Sequence, residues 1–181
     1  MRLVEEIRNE LMKLENKKVY VFIFSLLKRQ MSMFDRIAKN NQWDNTDIVY
    51  ELYTNIQKNV EEEQNLVIEY YVERTDIEYF DWDCEEFFMQ IVDTFLDTLF
   101  AFANQLQEKD DIDYGFSQCN FDLLENILYN LSVWEDRQEN TFICNEWVQL
   151  EYNREKRDLE LIQCGEYLLE GNIDEMLMII K

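Results

Sequence analysis

The sequence predicts an all-α protein, folded as a single compact bundle of about seven or eight helices over residues 1–181. The chain contains no proline and only three glycines, which leaves few tight turns for a multi-stranded sheet. Apolar residues recur every three or four positions along most of the chain, which is the spacing of one helix face. Because 47% of the residues are hydrophobic and no internal repeat or low-complexity linker interrupts them, we expect one core and one domain.

The first three predicted helices cover residues 1–60. A stripe at 4-4-3 spacing marks the first helix: Leu3, Ile7, Leu11 and Leu14. Apolar residues from Val19 to Ile37 predict the second helix, with a possible break around Ser32. Either Asp44 or Asn45 is expected to cap the third helix, which runs as far as Val60.

A short fourth helix is expected over about 64–75, and the clearest helical pattern follows it. That pattern begins at Asp83, where Asp83 and Glu86 have the spacing of a capping box. It continues to Leu106 with a wide apolar stripe, so we expect this helix to be the central and most buried one.

The remaining helices are shorter or more charged. Asn120 is expected to cap a helix that runs to Trp134. A long charged helix follows over about 142–164, and its expected inner face consists of Trp147, Leu150, Leu159 and Ile162. A last short helix is expected over 172–180, directly after Gly171.

Charge is distributed very unevenly along the chain. The formal net charge is −22, yet residues 1–39 hold nine of the seventeen bases against five acids. Residues 40–181 hold the other eight bases against 34 acids, a balance of −26. Such a density of negative charge attracts a basic protein and repels nucleic acid and anionic membranes. The sequence therefore predicts a basic protein partner.

The composition excludes several kinds of active site. The chain has no histidine, which removes Ser-His-Asp and Cys-His catalysis and histidine metal sites, and it has no glycine-rich phosphate loop. Acidic triplets at 81–85 and 110–113 carry the oxygen ligands that Mg²⁺ and Ca²⁺ prefer, but neither has the glycine and terminal glutamate of an EF-hand. We expect no catalytic residue, no metal and no cofactor. A carboxylate pair acting as general acid and base stays open as an alternative.

The cysteines and the apolar runs predict the compartment. Four cysteines, spaced 35, 25 and 20 residues apart, fit neither a zinc site nor a disulfide framework, so we expect reduced, mostly buried thiols. The start of the chain mixes acids with bases, unlike a secretory signal. The longest apolar run, 19–27, is much shorter than the roughly 20 residues of a membrane span. These features predict a cytoplasmic protein.

Acidic and aromatic residues alternate in the stretch from Glu69 to Glu86. This stretch holds eight acids and one base, and aromatic anchors ringed by complementary charge are typical of protein interfaces. The residues expected to contact a partner are Glu73, Asp76, Glu78, Tyr79, Phe80, Asp81, Trp82, Asp83 and Glu85. The alternative is that the aromatic residues among them fold inward as core and the acids form only a solvated rim.

Two parts of the chain carry a resemblance to a known family. In the first part, Leu14-Glu15 opens the second helix and an apolar stripe from Phe22 ends in the basic Arg29. In the second part, 142–164, Glu146-Trp147 precedes a tyrosine and a charged run. On these patterns the chain resembles the helical bacterial family catalogued as domain of unknown function 416. The resemblance implies a single all-helical domain and assigns no activity.

The function favoured by these features is inhibition of a basic protein. In overall character the chain is similar to the immunity proteins of contact-dependent and other polymorphic toxin systems. That similarity implies a monomer that binds a toxin domain in a 1:1 complex, with a nuclease, and an RNase in particular, as the expected target. Two alternatives remain open: an enzyme or metabolite-binding protein that uses carboxylates in a deep pocket, and a mimic of nucleic acid with regularly spaced acids.

Overall fold

The computed structural model describes residues 2–62, 65–79, 82–108, 112–130 and 145–167, without the side chains of 76–79 and 129–130. Within these ranges it contains seven α-helices and no strand, which confirms the predicted all-α class. The helices are α1 (Arg2–Leu11), α2 (Asn16–Asn40), α3 (Asp47–Glu62), α4 (Glu69–Tyr79), α5 (Glu86–Glu108), α6 (Cys119–Asn130) and α7 (Glu146–Cys164). A short 3-10 helix, Tyr114–Gln118, leads into α6.

The central helix of the bundle is α2. The sequence had predicted that the most buried helix would be the one now labelled α5. Every residue from Phe22 to Met31 is buried, and α2 contacts α3, α5, α6 and α7. A helix that is buried on all sides has neighbours on all sides, so its polar residues must find partners inside the protein. In α2 these residues include Lys28, Arg29 and Gln30.

Several helix ends differ from the predicted ones. No break occurs in α2, which continues through Ser32 with the Ser32 hydroxyl donating to the Arg29 carbonyl at 2.6 Å. Helix α1 ends at Leu11, before the predicted Leu14. Helix α3 begins at Asp47, after both predicted caps, and α5 begins at Glu86. Capping side chains are common in loops as well, so their spacing places a helix end only to within a few residues.

The charged helix α7 has well-defined ends. The Asn145 side chain accepts a hydrogen bond from the Trp147 backbone N–H at 2.9 Å, and Gly165 ends the helix with a φ of 74°. That left-handed conformation favours glycine; the Gly165 N–H donates to the Ile162 carbonyl and the Glu166 N–H donates to the Leu161 carbonyl. Leu150 was predicted on the inner face but is 47% exposed. Trp147 is half-buried, and the buried face consists of Val148, Glu151, Glu155, Asp158, Leu159 and Ile162.

The described cysteines, Cys84, Cys119 and Cys164, are free thiols. Cys84 and Cys119 are half-buried, whereas Cys164 is exposed, which corrects the expectation of burial for that residue. Cys144 and the last predicted helix, 172–180, lie outside the described residues. Among the helices described, none combines the length and the apolar character that crossing a membrane requires.

Candidate functional site

A cluster of buried charges joins α2 to α7. Arg29 is 4% exposed; its Nε donates to Glu151 Oε1 at 2.8 Å and its Nη1 donates to Asp158 Oδ2 at 2.6 Å. Burial lowers the pKa of Arg29, but the carboxylates of Glu151 and Asp158 outweigh burial and hold the pKa above its ordinary value. The guanidinium is therefore a permanent cation inside the core.

Amide side chains extend this cluster to α6. Asn120 donates through Nδ2 to Glu151 Oε1 at 2.8 Å, and Gln30 donates through Nε2 to Asn120 Oδ1 at 2.8 Å. Asn120 therefore does not cap α6 as predicted, because it lies inside the first turn and its amide is fully buried. Near the start of a helix, an asparagine that caps and one that bonds a distant side chain look alike in sequence.

A third acid, Glu155, completes the cluster. It lies one turn from Glu151 on the same face of α7, and its exposed fraction is 0%. Burial raises the pKa of Glu155 well above its ordinary value, and the neighbouring Glu151 carboxylate raises it further. The burial of these acids was not predicted from the sequence, because a charged helix suggests a solvated surface. A signal was present, since positions 151, 155 and 158 continue the stripe of Val148 and Ile162.

The buried cluster lacks the access that catalysis needs. Glu151, Glu155 and Asp158 are at most 2% exposed, so a substrate cannot reach their carboxyl groups in this conformation. A groove of about 520 Å³ beside α1 is lined by other side chains of α7, including Tyr152 and Lys156. No group of three histidine, cysteine or carboxylate side chains in the described ranges is arranged to hold a metal. The geometry is that of a structural network rather than of an exposed active site.

The second candidate region is the acidic stretch from Glu69 to Glu86, in which Trp82 is buried. The Trp82 side chain is 6% exposed and stacks on Trp43, with ring centroids 5.1 Å apart and planes 9° apart. Its ring also lies 5.6 Å from that of Phe34 in the core. The Trp43 Nε1 donates to the Asp83 carbonyl at 3.2 Å, which fixes the loop in front of α5. Trp82 therefore packs inward as the alternative interpretation expected, and it does not form a surface anchor.

The acids of this stretch are distributed over α4 and the loop that precedes α5. Among the predicted contact residues, Glu73 lies exposed on α4, and Asp83 and Glu85 lie exposed in the loop. Asp76, Glu78 and Tyr79 belong to the last turns of α4, but their side chains are outside the described part. Phe80 and Asp81 also lie outside the described residues. The expected roles of these five residues stay predictions.

An exposed apolar patch at the start of the same stretch, formed by Val67 and Tyr70, was not predicted from the sequence. Val67, Tyr70 and Val72 are 63%, 49% and 41% exposed. Val67 and Tyr70 line a recess of about 280 Å³ at the end of α3. Exposed Glu69 and Glu73 lie next to this patch in sequence. A signal was available, because the apolar residues of α4 do not fall on a single helical face.

Comparisons with known proteins do not assign a function to this site. No protein family model, no curated protein and no solved structure matches this chain. The resemblance to the family catalogued as domain of unknown function 416 stays a prediction. Interpretation of function therefore depends on the acidic, partly apolar surface around α4 and on the inaccessible buried cluster.

Proposed function

We propose that this protein is a cytoplasmic immunity protein that binds a basic toxin domain, expected to be a nuclease such as an RNase, and neutralises it as a 1:1 complex. The observation that carries this proposal is the combination of exposed acids and exposed apolar side chains around α4. Exposed Glu69 and Glu73 lie close in sequence to the apolar patch of Val67 and Tyr70, and Val72 is exposed on another face of α4. Nuclease domains bind a polyanion and are accordingly basic, so the two surfaces have complementary charge.

Each part of this surface has a separate role in the proposed complex. The acids attract the basic partner over a long range and orient its approach. The apolar patch supplies contacts that lose water on binding, and aromatic residues such as Tyr70 are common hot spots in interfaces. An acidic surface without such anchors gives fast but weak association, and anchors without charge give slow association. The adjacency of both on α4 supports a protein-binding function.

The alternative of a carboxylate enzyme receives less support. Such an enzyme would use the three carboxyl groups that converge in the core, which are those of Glu151, Glu155 and Asp158. All three are buried, and Arg29 forms ion pairs with Glu151 and Asp158. General acid–base catalysis requires a group within hydrogen-bond reach of a substrate proton, and these carboxylates are covered by the helices around them. A protein-binding surface requires only exposure, which the residues around α4 have.

The test begins with affinity capture from the native host, followed by purification of the captured basic protein. Co-expression with this chain should restore growth to cells that express the partner, and it should abolish the partner's nuclease activity. Glu73→Lys should weaken both effects, whereas Glu160→Lys, which changes an exposed side chain of α7, should not. A partner with a net acidic surface, or a basic partner whose activity is unaffected by stoichiometric binding, contradicts the proposed function.

A further inference from the structure

The carboxyl groups of Glu151 and Glu155 have too few hydrogen-bond donors among the described residues. Both side chains are buried, at 1% and 0% exposure. Three of their four oxygens, Glu151 Oε2 and both oxygens of Glu155, receive no hydrogen bond from the described residues. A buried carboxylate oxygen without a donor carries a large desolvation cost, so native proteins rarely leave one unsatisfied. Three such oxygens on adjacent turns of α7 need a donor beyond the hydrogen bonds of the described residues.

The donors near this pair do not reach these three oxygens: Arg29 Nη2 is itself buried without a hydrogen-bond partner among the described residues, and the other donors bond elsewhere. Arg29 directs Nε to Glu151 Oε1 and Nη1 to Asp158 Oδ2. The Asn120 amide also donates to Glu151 Oε1, at 2.8 Å. Among the described residues, a proton on one of the two carboxyls is the remaining group that can complete a hydrogen bond between Glu155 and Glu151 Oε2, because the two residues lie one helical turn apart.

The charges around the pair also favour a neutral Glu155. From α2 the buried cations Lys28 and Arg29 face the cluster, and on α7 the carboxylates of Glu151 and Asp158 balance them. The half-exposed Arg157 lies 3.4 Å from Asp158, but solvent screens its charge. A third ionised carboxylate would add unbalanced buried charge beside two others of the same sign.

Two further titratable groups face the cluster, and both are neutral near pH 7. The thiol of Cys119 on α6 is one of them, because burial raises its pKa well above the ordinary value and Glu155 raises it further. The phenol of Tyr167, after α7, is the other, because burial and Asp158 raise its pKa to about 12. Neither supplies a positive charge to stabilise an ionised Glu155.

We infer that Glu151 and Glu155 form a proton-binding site that holds one proton near pH 7, carried by Glu155 and donated to Glu151 Oε2. The proton is then a structural ligand of the core, and it is released when the chain unfolds. It adds a function to the buried cluster that does not depend on the proposed toxin partner.

The stability of the protein should depend on pH, because the pKa of Glu155 differs between the folded and the unfolded chain. In the unfolded chain, Glu155 has its ordinary pKa of 4.5, whereas burial raises its pKa in the folded protein. Between these two pKa values the folded state binds one more proton than the unfolded state. The proton's contribution to stability is therefore complete below the unfolded pKa and decreases as pH rises. The unfolding constant should rise about tenfold per pH unit, equivalent to about 1.4 kcal/mol.

The test compares urea unfolding of the wild type and Glu155→Gln from about pH 5 to pH 8. Glutamine keeps the shape and donates the same hydrogen bond without a titrating proton, so its unfolding constant should lack the tenfold rise per pH unit. Subtracting the two profiles cancels the repulsion among the other acids. Glu160→Gln, an exposed control on α7, should keep the wild-type slope. Equal slopes for the wild type and Glu155→Gln would overturn the inference.

A second measurement decides the question even if Glu155→Gln does not fold. Infrared spectra of the folded wild type, with ¹³C in the glutamate carboxyl groups, should show a protonated glutamate carboxyl at pH 7. The label separates this band from that of Asp122, whose pKa is also raised by burial. Glu155→Met, which needs no proton, should remove the band, and Glu160→Gln should retain it. Absence of the band in the wild type means that Glu155 is ionised and disproves the site.

Discussion

Arg29 on α2 and Glu151 on α7 lie 122 positions apart in sequence and form a buried ion pair with 2.8 Å between Nε and Oε1. The pair links the basic first part of the chain to the acidic remainder inside the core. Because both side chains are almost completely buried, the interaction is barely screened by salt. Attraction between the basic and the acidic part of the chain thus offsets some of the repulsion among the many acids.

Replacing Arg29 should therefore destabilise the protein strongly. Arg29→Met leaves Glu151 and Asp158 buried without their shared cation, so we expect a loss of about 3–5 kcal/mol in the free energy of unfolding. Arg29→Lys should recover only part of this loss, because an ammonium lacks the planar fork that reaches both carboxylates. Urea unfolding followed by circular dichroism measures the change. The control is Arg2→Met, whose exposed ion pair should contribute little, and equal effects of the two substitutions would contradict the prediction.

Asn120 should be sensitive to charge as well as to size. Asn120→Ala removes the donor to Glu151 and the acceptor of Gln30, and it should cost about 1–3 kcal/mol. Asn120→Asp should be worse near pH 7, because it places another carboxylate against Glu151, and the difference should shrink as pH falls and the new acid is protonated. Unfolding measured at two pH values tests this, with exposed Asn9→Asp as control. An Asn120→Asp variant that is insensitive to pH would contradict it.

Trp82→Ala should lower stability rather than remove a surface contact. The substitution empties the space between Trp43 and Phe34, and core tryptophan-to-alanine changes typically cost about 3–5 kcal/mol. Thermal unfolding by circular dichroism provides the measurement. Tyr70→Ala is the comparison, because its ring is 49% exposed and should affect the melting temperature little. A Trp82→Ala variant as stable as the wild type would show that the ring is not core.

Binding to the basic partner should separate into a charge effect and a packing effect. Charge reversal at Glu73, Asp83 or Glu85 should slow association towards the unsteered rate of roughly 10⁵–10⁶ M⁻¹s⁻¹, and added salt should reduce the difference from the wild type. Tyr70→Ala should instead speed dissociation, because desolvated contacts are hardly screened. Both rates are measured across a salt series after folding is confirmed. Met12→Ala, 57% exposed after α1, is the matched control. Rates indifferent to salt would contradict the assignment of this surface.

Thiol reactivity should follow burial. Cys164 is exposed and should be alkylated first in the native protein. Cys119 should react slowly, because burial raises the pKa of its thiol and the reactive thiolate is scarce. Mass spectrometry of peptides after brief labelling gives the order, and Cys164→Ser should remove the fast phase. Fast labelling of Cys119 in folded protein would mean that the region around the cluster opens readily.

The all-α class and the charge asymmetry were determined by the sequence itself. Helical periodicity is a local property, since residues three and four apart share a face whatever the helix packs against. The predicted stripes of α1, α2, α3 and α5 are accordingly present in the structure. Net charge is a sum over residues and needs no fold. The sign of the expected partner follows from that sum.

The environment of individual side chains was decided by tertiary structure. Trp82 stands among exposed acids in sequence, but Trp43 and Phe34 come from distant positions to enclose it. Glu151 belongs to a helix rich in charge, and its ion pair with Arg29 from α2 makes its burial tolerable. A carboxylate costs little in water and a great deal in the core unless it is paired or protonated. Which of these states applies depends on contacts between segments more than 100 residues apart, and local sequence does not encode them.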